Sequence, residues 1–539
     1  MALLSLTVVA YAVPLSLLYI LLSTYVSRRR FQSFATAHGA TTPKFVPSGL
    51  PFGIGWVWRL TSADRAGADL LDDVIEPTYK ANGPTFAMAG LFGPDEIFTM
   101  DPANIQAILA TQFRDFGLGE RRNAQFRPLL GKNIFTAEGA FWEHSRALFR
   151  PQFSRDHIND LTETERGVQA MFEALPLVGK RTETDDGGVA VDVDMKPVIL
   201  RFTLDTSTAF LFGESVESQL TAARGSTVGT SAATAMAADV AGGEMGFAEA
   251  FREATAWLTE RARLQGFYYL APAAKGRKAA AYIRRYVDHY VQEALSTAKP
   301  RVAGMEGYSL LNTLVEQTRD RDELRDQILG ILLAGRDTTA TLLSWTLIFL
   351  SRRKDVFDKL RREVVENFGE YNERETGPRI DFASLKASRY LQLVMRETLR
   401  VSNNVPVNTR IATRDTTLPR GGGSDGLAPV AVQKGQIVNF APYVLHRRED
   451  IWGPDALEFR PERWEGMKMD WNYVPFSGGP RICLGQQFAL TEAGYFLVRL
   501  LQRFDSMEWI GPPGKPRKDL HLSMGPRDGV HVRLRYAEA

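Results

Sequence analysis

Apolar and polar positions follow a helical period over most of this chain, and one stretch at its start carries no charge at all. From Ala2 to Val26 the residues are mainly Leu, Val, Ala and Tyr. That length crosses a bilayer core of roughly 30 Å as a helix. Pro14 inside it is better tolerated in lipid than in water. Arg28, Arg29 and Arg30 follow at once. A cleaved signal peptide would carry its basic residues before the apolar run and a small-residue site after it. Segment 2–26 has neither, so it reads as a membrane anchor helix, with the arginines and everything after them in the cytosol. Pro43, Pro47 and Pro51 mark residues 27–53 as a basic, proline-rich hinge, leaving 54–539 as one body.

Helical patterns dominate that body, so it is expected to be mainly α with a small β-sheet region. The longest runs from Asp322 to Ser351, with acidic residues opening it and Arg352, Arg353 and Lys354 closing it. Its middle, Ala334-Gly-Arg-Asp-Thr-Thr339, combines a glycine that weakens a helix by about 1 kcal/mol with two β-branched residues. A local rule broken inside a strong helix points to function. Short strands are expected at 407–414, 429–440 and 529–535, with 418–426 as a glycine-rich turn between strands. Residues 214–244, rich in small side chains, read as a loop or a weak helix. The cluster Phe267-Tyr-Tyr-Leu270 is either core or a patch that meets a membrane interface.

Charge narrows the function classes. The 65 basic and 63 acidic residues nearly cancel, which argues against a nucleic-acid binder. One cysteine, Cys483, serves all 539 residues, so there is no intrachain disulfide and no multi-cysteine metal site. A lone cysteine is ordinarily an inert buried thiol. Its neighbours here are unusual: Phe476-Ser-Gly-Gly-Pro-Arg-Ile-Cys-Leu-Gly485 wraps it in three glycines and a proline, with an arginine two residues before it. Exposed amides, a helix N-terminus and a cation all favour a thiolate. The decapeptide is built to present a metal-ligating sulfur.

The pattern Phe476-x-x-Gly-x-Arg481-x-Cys483-x-Gly485 resembles the haem-binding loop of the cytochrome P450 monooxygenases. The resemblance implies that fold, preceded by one N-terminal transmembrane helix, and haem b as cofactor. Cys483 would be the axial iron ligand, Arg481 would pair with a haem propionate and Phe476 would shield the Fe–S bond. Trp142-Glu-His-Ser-Arg146 resembles the helix whose Trp and Arg hold a propionate; alone it reads as an ordinary amphipathic helix. Ala334–Thr339 resembles the oxygen-activating stretch, in which Thr338 would donate to bound dioxygen and Asp337 would feed protons from solvent. Taken alone, the threonines read equally well as back-bonded to the i−4 carbonyl. Glu397-x-x-Arg400 with Arg463 resembles the family's buried structural network; alone, Glu397 and Arg400 would be a weak surface pair.

Longer matches resemble the fungal alkane- and fatty-acid-hydroxylating members: Phe116-Gly-Leu-Gly-Glu-Arg-Arg122, Pro128–Thr136, His144–Phe153, Leu418-Pro-Arg-Gly-Gly-Gly423 and Gly485–Ala493. Two departures stand out. Ala334 occupies the position where some relatives carry a haem-esterifying glutamate, so non-covalent haem is expected. Val401-Ser-Asn-Asn-Val-Pro406 replaces the usual Leu-Tyr-Pro-Ser-Val-Pro, which would put Asn403 and Asn404 over the haem and suit a more oxygenated substrate. Ile328, Ile331 and Leu332 are expected to present an apolar face near the haem, and Arg121 or Arg122 either to hold a distal carboxylate or to face solvent.

The implied activity is insertion of one oxygen atom from O2 into a C–H bond of a long-chain aliphatic substrate, at or near its end. The alternatives are a tailoring oxidase of a fungal secondary metabolite with an alkyl chain, or a non-oxidative haem-binding protein. The glycine cluster 421–426 lacks the strand-to-helix context of a dinucleotide site. Electrons are therefore expected from a separate partner; the family resemblance implies that they come from NADPH through NADPH–cytochrome P450 reductase, with cytochrome b5 as a second donor, at the endoplasmic reticulum membrane.

Overall fold

The computed structural model describes residues 2–154, 158–184, 187–225, 246–296, 309–371 and 379–537. Its main helices are α1 (Ala2–Ala37), α2 (Gly139–Phe149), α3 (Met195–Phe212), α4 (Phe247–Arg263), α5 (Ala274–Ser296), α6 (Arg321–Arg352), α7 (Arg389–Val401) and α8 (Gln486–Arg503). The strands are β1 (Lys44–Phe45), β2 (Thr85–Met88), β3 (Glu96–Thr99), β4 (Phe116–Gly117), β5 (Lys180–Glu183), β6 (Val189–Asp194), β7 (Asn408–Ala412), β8 (Thr416–Gly422), β9 (Ala428–Val432), β10 (Ile437–Phe440), β11 (Phe504–Trp509), β12 (Lys518–Leu520), β13 (Met524–Pro526) and β14 (His531–Tyr536).

The chain forms two compact units. The first holds the residues up to Arg59, Pro77–Gly117 and Thr409–Ala441. Its sheet has the order β1-β2-β3-β10-β7-β4. The proline-rich segment enters it as β1, with Lys44 opposite Phe86. The expected N-terminal helix is present as α1 but does not stop at Val26. Nothing from Ser27 to Ala37 breaks a helix, and α1 ends only before Gly39, at φ 59°, where Ala40 N donates to Ala35 O at 2.9 Å. Among the described residues no helix is long and apolar enough to cross a membrane. The structure therefore gives the spanning helix no support, and that expectation rests on sequence alone.

The strand expectations need two corrections. Segment 429–440 divides into β9 and β10 around Gly435, at φ 85°. Leu418–Gly422 is strand rather than turn: Thr416 to Leu418 pair with Val432 to Val430, and after an irregularity Gly422 pairs with Ala428. Gly422 serves close packing, since a Cβ there would lie 2.2 Å from Thr41 Oγ1.

The second unit contains the remaining residues, with a sheet of order β11-β14-β6-β5 and the pair β12-β13. Asp320 caps α6 by accepting from Glu323 N at 3.0 Å, and Asp322 and Glu323 complement its N-terminal dipole. At 1.5 Å per residue, α6 is about 48 Å long. It packs against α3, α5, α7 and α8, and Trp345, Phe202, Phe251 and Phe496 are fully buried in this unit. Before residues 226–244, which lie outside the described residues, Ser218–Ala223 forms a short helix within the expected loop. The aromatic cluster divides: Tyr269 and Leu270 are exposed, while the Tyr268 ring lies 4.8 Å from the Arg261 guanidinium.

The Glu-Arg-Arg network is buried. Glu397 accepts from Arg400 at 2.8 and 2.9 Å, from Arg463 Nε at 3.3 Å, from Trp464 Nε1 at 3.0 Å and from Arg460 N at 3.0 Å. Arg400 also donates to the carbonyls of His446, Ala456 and Glu458. The network ties α7 to the segment that leads into the cysteine loop.

Candidate functional site

The loop around Cys483 is shaped by backbone that few residues tolerate. Ser477 and Gly479 have φ of 63° and 62°. A Cβ on Gly478 would meet the Trp471 ring at 2.6 Å, so only glycine fits there. Cys483 N donates to Phe476 O at 3.0 Å, closing the turn, and α8 begins three residues after the cysteine. Behind the loop, His446 Nε2 accepts from Val474 N at 2.9 Å. Burial pushes that imidazole down to about 3, so it stays neutral and serves as an acceptor.

Cys483 is exposed as a residue. Partial desolvation pushes its thiol pKa up, against the pull of the Gly485 N–H and the Arg146 charge.

Helix α2 and the cysteine loop clasp each other. Arg146 Nη1 donates to Ile482 O at 3.0 Å, and Arg481 Nη2 donates back to Ala137 O at 3.1 Å. The buried Trp142 lies between them, with the Arg481 guanidinium 4.2 Å and the Arg146 guanidinium 6.0 Å from its ring. Trp142, Arg146, Arg481 and Cys483 are thus brought together. Phe476 joins them through its carbonyl, its ring half-buried.

Burial holds Arg146 below the ordinary guanidinium range and brings Arg481 down to about 10, with the neighbouring Arg122 and Arg146 charges adding to the effect. Arg122 was not singled out by sequence as a cofactor residue. Its guanidinium is pushed down by burial, its Nη1 donates to Asn408 Oδ1 at 3.3 Å, and its Nε is buried with no partner among the described residues. It is not a solvated surface group. Glu138 is the acidic group that opposes these charges at Arg481, and its carboxylate already accepts from Leu118 N and Gly119 N. Arg122, Arg146 and Arg481 thus gather positive charge beside the cysteine, with Glu138 opposing it at Arg481, a setting that suits an anionic ligand. A flat group with two carboxylates and a metal above Cys483 fits the donor set.

Asp337 and Thr338 make their contacts elsewhere. Asp337 Oδ1 accepts from Arg336 Nη1 at 2.9 Å, and the Arg336 guanidinium lies 4.9 Å from the Phe251 ring. Thr338 Oγ1 donates to Ala334 O at 2.7 Å, the back-bonded arrangement. Ile331, Ala334 and Thr338 fall on one partly exposed face of α6, at i, i+3 and i+7. Ile328, one turn before Ile331, and Leu332 are fully buried. Asn403 and Asn404 are buried as well. The Asn403 amide lies against His446, and Asn404 Nδ2 donates to Thr338 O at 2.9 Å.

The Cytochrome P450 family model matches residues 50–527. The chain is 41% identical over 524 residues to Cytochrome P450 monooxygenase g430 of Fusarium sp, covering 96% of this chain and 88% of the relative. It is 44% identical over 504 residues to Cytochrome P450 52A5 of Candida maltosa, covering 92% and 91%. Its fold is similar to the crystal structure of the cytochrome P450DA heme domain, with a TM-score of 0.71 at 20% identity over 93% of this chain and 98% of that chain. The chain therefore belongs to the cytochrome P450 family. It is a haem-thiolate monooxygenase.

Proposed function

We propose that this enzyme hydroxylates a long aliphatic chain at or near its end, with Cys483 as the axial ligand of a non-covalent haem b. The observation that carries the site assignment is the clasp of Trp142, Arg146 and Arg481 around the cysteine loop. Arg481, Arg146 and Arg122 would hold the two propionates, and Phe476 would shield the sulfur. Thiolate-ligated haem supplies the activation of O2, with the balance RH + O2 + two electrons + two protons giving ROH + water. Thr338 would supply a proton from Oγ1 after rotating off Ala334 O. Asp337, a fifth exposed, would restore it from solvent by swinging off Arg336.

The substrate class rests on the likeness to the fungal hydroxylases. Attack on a strong terminal C–H bond over weaker neighbours requires the chain to be held end-on. Two asparagines over the haem would suit an oxygenated secondary metabolite. The Asn403 amide instead lies against His446 and Asn404 Nδ2 donates to Thr338 O, so the fatty acid or alkane reading stands ahead. Electrons are proposed to come from NADPH through NADPH–cytochrome P450 reductase, assisted by cytochrome b5. Residues 54–539 are taken as the haem domain behind a basic, proline-rich hinge at 27–53. The uncharged run 2–26 would attach it to the endoplasmic reticulum membrane. The test is a panel of C12 to C18 fatty acids, matching alkanes and oxygenated alkyl metabolites, read by spectral shift and product. Shift and terminal hydroxylation with the acids or alkanes are expected. Response to the oxygenated compounds alone would overturn the substrate reading.

A further inference from the structure

We infer that Asn404 is a positioning residue for oxygen activation, because it locks the turn of α6 that carries Thr338. The inference rests on Thr338 serving as the proton donor proposed above.

Thr338 O lies inside an uninterrupted helix, where one of its lone pairs belongs to the i+4 amide. Asn404 Nδ2 reaches it from outside the helix at 2.9 Å, across 66 residues of sequence. Asn404 is itself pinned from behind, since its backbone carbonyl accepts from Met524 N at 2.9 Å. Trp345, about two turns further along α6, donates to Met524 O at 2.9 Å, so the brace closes on the same helix.

The chemistry explains why a brace belongs here. The Thr338 hydroxyl is held by Ala334 O, and to serve a reacting oxygen its O–H must turn off that carbonyl. The turn is soft because it contains Gly335. A carbonyl fixed by a second, external donor lets the hydroxyl move while the backbone stays in place.

Stability alone does not account for this asparagine. Its Oδ1 is buried with no partner among the described residues. An unmade hydrogen bond of that kind offsets what the Nδ2 bond contributes.

The experiment uses full-length, haem-loaded enzyme with its reductase and dodecanoic acid as probe. Asn404→Leu, Asn404→Ala, Thr338→Ala and Thr338→Ala/Asn404→Leu are compared for product and peroxide per NADPH, reduced-CO spectrum and urea midpoint. The Asn404 variants are expected to keep the spectrum and the midpoint. Product per NADPH should fall at least threefold, with peroxide making up the difference. The double variant should be no worse than Thr338→Ala. Full coupling in the Asn404 variants while Thr338→Ala uncouples would overturn the inference and leave Thr338's role intact. So would losses that add to those of Thr338→Ala or track a falling midpoint in both variants. Unchanged coupling in Thr338→Ala would overturn the reading of Thr338 itself, and the role of Asn404 with it.

Discussion

Replacing Glu397 with Gln is the sharpest stability experiment the fold offers. The carboxylate accepts five N–H groups and is fully buried, as is Arg400. Arg463 is nearly so and has Asp455 as a second partner, with Nη1 to Oδ1 at 2.8 Å. Two guanidiniums thus face two carboxylates. Glu397→Gln keeps the shape but leaves one buried positive charge uncompensated and turns an amide donor toward other donors. Breaking such a pair costs about 3–5 kcal/mol, a large part of the 5–15 kcal/mol that typically holds a domain folded. The folded-to-unfolded ratio should drop by roughly a hundredfold to several thousandfold. Urea unfolding followed by tryptophan fluorescence measures it. Asp358→Asn is the control, because its pair with Lys354 at 3.0 Å is exposed and should be worth about 0.5 kcal/mol or less. A Glu397→Gln shift no larger than the control's would refute the reasoning.

Other expectations follow from individual groups. Burial lifts Glu492, which accepts from Thr206 Oγ1 at 2.6 Å, to about 7 from an ordinary 4.5. The native state therefore binds a proton that the unfolded state has lost, and its stabilising effect is full below pH 4.5 and lost as pH rises through 7. That amounts to roughly 3 kcal/mol, so Glu492→Gln should remove that slope between pH 5 and 8; an unchanged slope in urea midpoints would contradict it. Arg122→Ala should speed haem transfer to apomyoglobin roughly 10- to 100-fold, the worth of one charge-assisted hydrogen bond, and an unchanged rate would remove Arg122 from the propionate site. Deleting residues 1–30 should move the protein from the membrane pellet to the supernatant with its haem retained. Continued sedimentation would point to another contact, with Tyr269 and Leu270 the first to test.

The decapeptide around Cys483 was legible because its glycines, arginine and cysteine must stand at fixed spacings to build one turn. The length of α6 and its capping acids were legible for the same local reason. Burial and long-range pairing were not. Nothing in Arg121-Arg122 tells which guanidinium is enclosed, and nothing in Asn403-Asn404 says that one amide lies against His446 and the other meets Thr338. The glycines of 418–426 read as turn residues because glycine is common in turns; that Gly422 lies in a strand against Thr41 is a matter of packing. Helix α1 outran its expected end because the arginines, taken as the edge of a membrane segment, are also good helix formers.

The central claim is that Cys483 is the haem ligand, and the reduced, CO-bound spectrum of Cys483→Ala tests it most directly. No other cysteine exists in the chain to replace it. The account predicts that the Soret band characteristic of thiolate ligation disappears, together with hydroxylation, while protein with bound haem can still be recovered through Arg122, Arg146 and Arg481. Persistence of that band in the variant would contradict the account at its root.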